Sequence, residues 1–144
     1  MATKVSNASD VITSLKASAP LCADKAIFEI TDNGDWFYQG GILPLKFSKL
    51  FASILNRIDD EYFLITPVEK LKVEVASQAL IIVDYDADGK GGYEVLSSIG
   101  THHNIPSFDG FIVSDESITA TVERAIVARL NRACFYRFIN EFLA

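Results

Sequence analysis

The dipeptide Asn33-Gly34 is the feature that most constrains how this chain can fold. Asn-Gly between two alternating runs is typical of a type I′ turn in a β-hairpin. The run after the turn contains three consecutive aromatic residues, and a strand period of two places Trp36 and Tyr38 on one face and Phe37 on the other. The sequence therefore predicts a hairpin with at least one apolar face.

Segments of strand period and segments of helix period alternate along the chain. The predicted strands are residues 26–31, 35–39, 62–66, 68–75, 80–83, 93–96, 110–113 and 117–122. The predicted helices are residues 10–16, 44–56, 123–130 and 132–143. This alternation predicts an α+β fold with two β-rich halves, closed by the helices at 44–56 and 132–143. We expect the halves to be residues 1–66, with a leading helix and linker at 1–20, and residues 67–144.

Composition argues against several classes of protein. The 144 residues carry a net charge of −6, which disfavours general affinity for nucleic acids and for anionic membrane surfaces. No stretch approaches the roughly 18 apolar residues of a membrane span, and the first residues lack the apolar region of a signal peptide. The two cysteines, Cys22 and Cys134, are typical of free thiols in a reducing compartment. We therefore expect a soluble cytoplasmic protein.

Glu69 lies where an apolar residue is expected. The period of the following strand turns Leu71, Val73 and Val75 toward the core, and its extension backwards turns Glu69 inward as well. A carboxylate on an apolar face needs hydrogen-bond donors. Glu69 is therefore either a ligand-binding group or a buried partner of Lys49 or of an arginine.

Four of the five arginines fall near the C-terminus. They are Arg124, Arg129, Arg132 and Arg137. Arginine is the side chain best suited to carboxylates and phosphates. The sequence leaves two interpretations open: an anion-binding site, or ion pairs with the acidic turns.

The segment that begins at Asp84 partly matches a calcium-binding loop. Asp84, Asp86 and Asp88 occupy positions 1, 3 and 5 of such a loop. Position 12, which should supply a bidentate glutamate, is Val95. We therefore predict that this turn does not bind calcium with useful affinity, and that the chain has no metal site there.

His102-His103 is the single histidine pair of the sequence. Adjacent residues of an extended segment point to opposite faces, so these two side chains are not expected to bind one metal together. Phosphate-loop, dinucleotide-binding and nucleophile-elbow motifs are absent. The sequence therefore indicates no cofactor and no catalytic residue, and it favours binding over catalysis.

The blocks Trp36-Phe-Tyr-Gln-Gly40, Leu50-Phe51, Asp60-Glu-Tyr-Phe-Leu-Ile-Thr-Pro-Val-Glu-Lys70 and Leu130-Asn-Arg-Ala-Cys-Phe-Tyr136 suggest a known family. Together they resemble the bacterial family catalogued as domain of unknown function 1285. The resemblance implies a duplicated α+β architecture, with a C-terminal half superficially like a pleckstrin-homology fold. It also implies a ligand site between the halves, for a nucleotide-like molecule, and a role in signal transduction. Where similar sequences carry Thr-Asn-x-Asp, this chain reads Ser97-Ser-Ile-Gly-Thr-His-His103.

These observations favour a regulatory module that binds a small, nucleotide-like molecule between its halves. The candidate ligand-binding residues are Trp36, Tyr38, Gln39, Glu69 and Arg132. Aromatic faces stack on bases, a carboxylate accepts from base or ribose donors, and arginine binds phosphate.

Two alternatives stay open. The chain could be a protein-interaction module that uses an exposed sheet edge or its C-terminal helix. It could also be a hydrolase that uses Glu69 as a base together with His102 or His103, which requires these groups to converge.

Overall fold

The structure, a computed structural model, describes residues 28–143 and folds them into two six-stranded sheets. The first half contains β1 (Phe28–Ile30), β2 (Trp36–Tyr38), β3 (Gly41–Ile42), α1 (Leu45–Ala52), β4 (Leu55–Ile58), β5 (Glu61–Ile65) and β6 (Lys70–Val75). The helix expected at residues 10–16, and Cys22 with it, lie outside the described residues.

The second half begins at residue 80. It contains β7 (Leu80–Ala87), β8 (Tyr93–Ser97), β9 (His102–Ile105), β10 (Phe111–Val113), β11 (Ile118–Thr121), β12 (Val127–Leu130) and α2 (Arg132–Phe138). Short 3₁₀ turns at Phe108–Gly110 and Glu123–Ala125 precede β10 and β12, and a π-helical turn, Ile139–Leu143, continues α2. Within residues 28–143, no helix has both the length and the apolar character needed to cross a membrane.

Both sheets have the same strand order. In the first sheet, the order is β3-β2-β1-β6-β5-β4, and β1 lies parallel to β6. In the second sheet, read in the same sense, it is β9-β8-β7-β12-β11-β10, and β7 lies parallel to β12. Each half is thus two antiparallel meanders joined through one parallel pair. The prediction of an α+β fold with two similar β-rich halves is confirmed, and the second half ends in a helix as a pleckstrin-homology fold does.

The division between the halves differs from the one expected after residue 66. β6 pairs with β1 and with β5, so residues 70–75 belong to the first sheet. The second sheet starts at Leu80, and residues 76–79 connect the two.

The helix expected at residues 44–56 is shorter in the structure. α1 ends at Ala52, and residues 55–58 form the edge strand β4. Leu55 is fully buried and pairs with Leu64. Its position fits the apolar period of the helix as well as that of the strand, so the sequence pattern did not show where the helix ends. Asp59 and Asp60 have φ angles of 52° and 66°, which suit a tight hairpin turn between β4 and β5.

The prediction of a helix at residues 123–130 is wrong. The segment makes one 3₁₀ turn and then becomes β12, a central strand of the second sheet. Arg124 and Ala125 have φ angles of 57° and 62°, which no right-handed helix accommodates. Ala128 and Leu130 are buried, and this alternation is a strand pattern that Arg129 between them obscured.

Arg137 holds α2 against β7. Its Nη1 lies 2.9 Å from Asp84 Oδ1, its Nε donates to Glu141 Oε1 at 2.7 Å, and its Nη2 donates to the Tyr85 carbonyl at 2.8 Å. The guanidinium carbon also lies 4.1 Å from the centre of the Tyr85 ring. The hydrogen bond to Glu141, followed by the one to Asp84, raises the pKa of Arg137 above its ordinary value. For this arginine the ion-pair interpretation is confirmed.

Arginine side chains join the halves through main-chain carbonyls. From the second half, Arg124 donates through Nε to Leu55 O at 2.7 Å and through Nη2 to Ala52 O at 2.8 Å. From the first half, Arg57 donates through Nε to Ala125 O at 2.7 Å. Hydrogen bonds from a charged donor are stronger than neutral ones. These contacts satisfy carbonyls at the end of α1 and fix one half against the other.

The hairpin turn between β1 and β2 also docks against the second half. Gly34 has a φ of +83°, and a β-carbon at this position would lie 2.8 Å from Ile81 Cγ1 and 3.0 Å from Ser98 Oγ. Beside it, Arg129 Nη2 donates to the Asp32 carbonyl at 2.8 Å. Glycine is required here both for the turn and for the close approach of the two halves.

We expect Gly34→Ala to destabilise the protein more than Gly40→Ala. Both glycines have nearly the same φ, +83° and +82°, but a β-carbon on Gly40 would have no atom within 4 Å. Gly40→Ala should therefore cost about 1–2 kcal/mol from the backbone conformation alone. Gly34→Ala should cost a further 1–3 kcal/mol, roughly, because the added methyl group overpacks against Ile81. Urea unfolding measures both values, and equal losses would contradict the close contact between the halves.

Candidate functional site

A cavity of about 400 Å³ lies where the β1–β2 turn meets the second half. We call it the inter-half cavity and define it by Asp32, Asn33, Arg129, Arg132, Phe135 and Tyr136. The first two residues belong to the hairpin turn, and the others belong to β12 and α2. The cavity therefore exists because the two halves are docked.

Two arginines and two acidic residues, Asp32 and Glu116, line the cavity, and the arginines are its cationic groups. Among residues 28–143, no carboxylate lies within ion-pair distance of Arg129 or Arg132. Arg129 donates through Nη2 to the Asp32 carbonyl, whereas its Nε is buried and has no hydrogen-bond partner in the described part of the chain. A buried donor without an acceptor is costly, and a guanidinium without a carboxylate partner favours an anionic or strongly accepting group beside it.

The start of α2 positions the other polar and aromatic groups. Asn131 caps the helix, since its side-chain oxygen accepts from Cys134 N at 2.9 Å. The cap places Arg132 at the first helical position and Tyr136 one turn later, with the guanidinium carbon of Arg132 5.9 Å from the Tyr136 ring centre. The ring of Phe135 lies 5.4 Å from that of Tyr136, nearly perpendicular to it at 76°.

Arg132 is the member of the predicted site set that lines this cavity. Trp36, which we expected to line a cleft, is instead 1% exposed and packs in the core 6.4 Å from the Phe51 ring. Its indole Nε1 is buried and has no hydrogen-bond partner among the described residues. The strand period correctly paired Trp36 with Tyr38 on one face, but that face is the one α1 covers.

Tyr38, Gln39 and Glu69 lie in the first half, away from the residues that define the inter-half cavity. Tyr38 is half-buried with its ring 5.1 Å from that of Phe28, and burial raises the pKa of its hydroxyl. Gln39 is exposed in the β2–β3 turn with a φ of 50°. Glu69 is half-buried, and its main-chain nitrogen donates to Thr66 Oγ1 at 3.0 Å.

The two histidines point to opposite faces of β9, as their adjacency predicts. His102 is exposed and lies 3.3 Å from Glu94. His103 is buried, with Nδ1 2.8 Å from Glu123 Oε1, so the carboxylates beside the two histidines are Glu94 and Glu123 rather than the expected Glu69. Sequence reasoning missed Glu123 because it assigned that residue to a helix.

The carboxylates Asp84 and Asp88, in β7 and in the acidic turn after it, contact groups of the protein itself. Asp88 Oδ1 accepts from Lys90 N at 2.6 Å and from Gly92 N at 3.0 Å, and Asp84 is paired with Arg137. The pKa of the Asp88 carboxyl lies below its ordinary value, and the hydrogen bond from Lys90 N makes the largest contribution to this shift. That this turn does not bind calcium stays a prediction.

Comparison with known proteins places the chain in a family. A family model described as "Domain of unknown function (DUF1285), N-terminal domain" matches residues 16–78, and this match ends between the two sheets. A crystal structure of a DUF1285 family protein from Shewanella baltica OS155 is 47% identical, with a TM-score of 0.77, and the match covers 83% of this chain and 95% of that one. The chain belongs to the DUF1285 family.

A second DUF1285 structure supports the fold. The protein from Silicibacter pomeroyi DSS-3 is 24% identical, with a TM-score of 0.67, and the match covers 81% of this chain and 69% of that one. Among curated proteins, none matches this sequence. The DUF1285 relationship thus establishes ancestry and architecture, and the function has to be argued from the residues of the site.

We expect Glu123 to make the protein less stable in acid. Burial is the largest single effect and acts to raise the pKa of the Glu123 carboxyl. The hydrogen bond from His103, a backbone hydrogen bond and the nearby charge of Arg124 act together against it and leave the pKa below its ordinary value. A carboxyl whose pKa is lowered by folding stabilises the native state above its unfolded pKa, about 4.3, and that contribution is lost as pH falls through the folded pKa.

The measurement is urea unfolding of the wild type and of Glu123→Gln between neutral pH and about pH 3. The stability difference between the two proteins should shrink as the pH falls below the ordinary carboxyl range. Glu116→Gln, which removes an exposed carboxylate that makes no hydrogen bond to His103, serves as the matched control. A difference that is constant over the whole range would contradict the assigned pKa shift.

Proposed function

We propose that this protein is a binding module for a small, nucleotide-like molecule held in the inter-half cavity. The proposal rests on Arg129, which lines this cavity and whose buried Nε has no hydrogen-bond acceptor among the described residues. Such a group is stabilised when an anionic oxygen fills the site.

The dimensions and chemistry of the cavity support the proposal. Its volume of about 400 Å³ falls within the range of small-molecule sites, roughly 300–1,000 Å³. Arg129 and Arg132 are suited to a phosphate, since guanidinium groups bind phosphate oxygens in pairs. Tyr136 offers an aromatic surface for a base, and the side chains of Asp32 and Asn33 offer acceptors for ribose or base donors.

The position of the cavity suggests how binding could act as a signal. A ligand between the hairpin turn and α2 touches both halves, so binding would stabilise their docked arrangement over any looser one. We propose on this basis a regulatory role in signal transduction. We also propose a cytoplasmic location, since Cys134 is a free thiol buried in the second half.

A thermal-shift panel tests the proposal. The panel should contain nucleoside monophosphates, nucleoside diphosphates, cyclic nucleotides, the parent nucleosides and inorganic phosphate. A ligand that binds the native state raises the unfolding midpoint by an amount set by its concentration and affinity. We expect a phosphorylated nucleoside to raise the midpoint more than its parent nucleoside or phosphate alone, because both the base and the phosphate have partners in the cavity.

Two substitutions localise the binding. Arg132→Gln should raise the dissociation constant about tenfold or more, since a charge-assisted hydrogen bond contributes about 1.5–3 kcal/mol, and Tyr136→Leu should weaken binding of the nucleoside part. Lys90→Gln, which removes an exposed cation from the acidic turn, is the matched control and should leave binding unchanged. The proposal fails if no compound shifts the midpoint, or if the shift survives both cavity substitutions.

A further inference from the structure

We propose that Thr101, His103 and Glu123 form a second site, a nucleophilic triad that hydrolyses small carboxylic esters. The site lies in a separate groove of about 330 Å³ between α1 and the second sheet. We call it the relay groove and define it by Lys49, Ser53, Gly100, Thr101, His103 and Glu123. None of these residues lines the inter-half cavity, so the inference goes beyond the proposed binding function and stands apart from it.

The contacts of His103 fix the order of the triad. Its Nδ1 lies 2.8 Å and 2.9 Å from the two carboxylate oxygens of Glu123, and its Nε2 lies 2.8 Å from Thr101 Oγ1. An ionised carboxylate only accepts hydrogen bonds, so Nδ1 carries the hydrogen. In the neutral imidazole, Nε2 is then the acceptor and the Thr101 hydroxyl donates to it. Carboxylate, imidazole and hydroxyl in this order are the arrangement that activates a hydroxyl nucleophile.

Ser97 completes the orientation of the hydroxyl. Its Oγ accepts from Thr101 N at 3.0 Å and also contacts Thr101 Oγ1. Because the Thr101 hydrogen points to His103, the hydrogen between the two hydroxyl groups belongs to Ser97. Ser97 therefore positions Thr101 Oγ1, and the tight turn from Ser97 to Thr101 brings both hydroxyl groups to the end of β8 and β9.

Lys49 supplies the positive charge that the reaction needs. A β-carbon on Gly100 would lie 4.0 Å from Lys49 Nζ, so the ammonium group of α1 lies over the turn that carries Thr101. Within residues 28–143, no carboxylate is in ion-pair range of Lys49. An ammonium group beside the nucleophile can stabilise the oxyanion of a tetrahedral intermediate. The nucleophile and this charge come from different halves, so the site is complete when the halves are docked.

The proposed reaction balances within the site and one water molecule. Thr101 Oγ1 attacks the ester carbonyl while His103 Nε2 takes the hydroxyl proton, and the carbonyl oxygen becomes an oxyanion near Lys49. The oxyanion collapses, the bond to the leaving alcohol breaks, and His103 returns its proton to that alcohol. Water then attacks the acyl-Thr101 ester with His103 as base, which releases the carboxylic acid and restores the hydroxyl. Glu123 stabilises the imidazolium form of His103 in both steps.

The experiment uses the whole chain and 4-nitrophenyl acetate. We expect release of 4-nitrophenolate above the uncatalysed rate, together with one added acetyl group, found by mass spectrometry on the peptide that contains Thr101. His103→Gln should lower the protein-dependent rate by about 10²–10⁴-fold, the usual contribution of a general base. Thr101→Val should remove both the rate and the adduct, and Thr101→Ser should restore them.

An exposed lysine of the acidic turn provides the matched control. Lys90 does not line the relay groove, and Lys90→Gln should leave rate and adduct unchanged. If Thr101→Val proves unstable, the adduct on the wild-type protein still tests whether Thr101 is the nucleophile, because it does not depend on the folding of any variant. A wild-type protein without acetyl on Thr101, or hydrolysis that survives His103→Gln, would overturn the proposal and leave His103 as a structural hydrogen-bonding residue.

Discussion

The docking of the two halves is the constraint on which the rest of this structure depends. Arginines of each half donate to main-chain carbonyls of the other, and Gly34 allows the first hairpin to approach β7 without a side chain between them. Such contacts depend on the exact backbone positions of both partners. The buried apolar residues of the two halves also form one cluster. Both candidate sites lie at this junction, one at the hairpin turn and one beside α1.

The duplicated fold was predictable where local signals were unambiguous. Asn33-Gly34 marked the first hairpin, and the apolar stripe of residues 132–143 marked the closing helix. Prediction failed at β12, because Arg129 interrupts its apolar pattern and because the left-handed residues Arg124 and Ala125 carry no distinctive sequence signal. The role of β12 beside β7 is a long-range pairing, and local periodicity does not encode it.

A cavity between the halves was predictable, but most of the residues that line it were not. The resemblance implied a ligand between halves and Arg132 lines such a cavity, whereas Trp36 belongs to the core because α1 covers its face of the hairpin. Arg129 and Tyr136 could have been found by following the cluster of C-terminal arginines along β12 and α2. The pairing of His103 with Glu123 could not have been predicted. The two residues are 20 positions apart, and the conformation of the turn that carries Glu123 has no sequence signal.

A crystal structure with bound ligand tests the central claim most directly. Crystals would be soaked with the nucleoside monophosphate that stabilises the protein most in solution. We expect density for its phosphate between the guanidinium groups of Arg129 and Arg132, and density for its base against Tyr136. Density beside Tyr38 and Glu69 instead, or an empty inter-half cavity at saturating ligand, would contradict it.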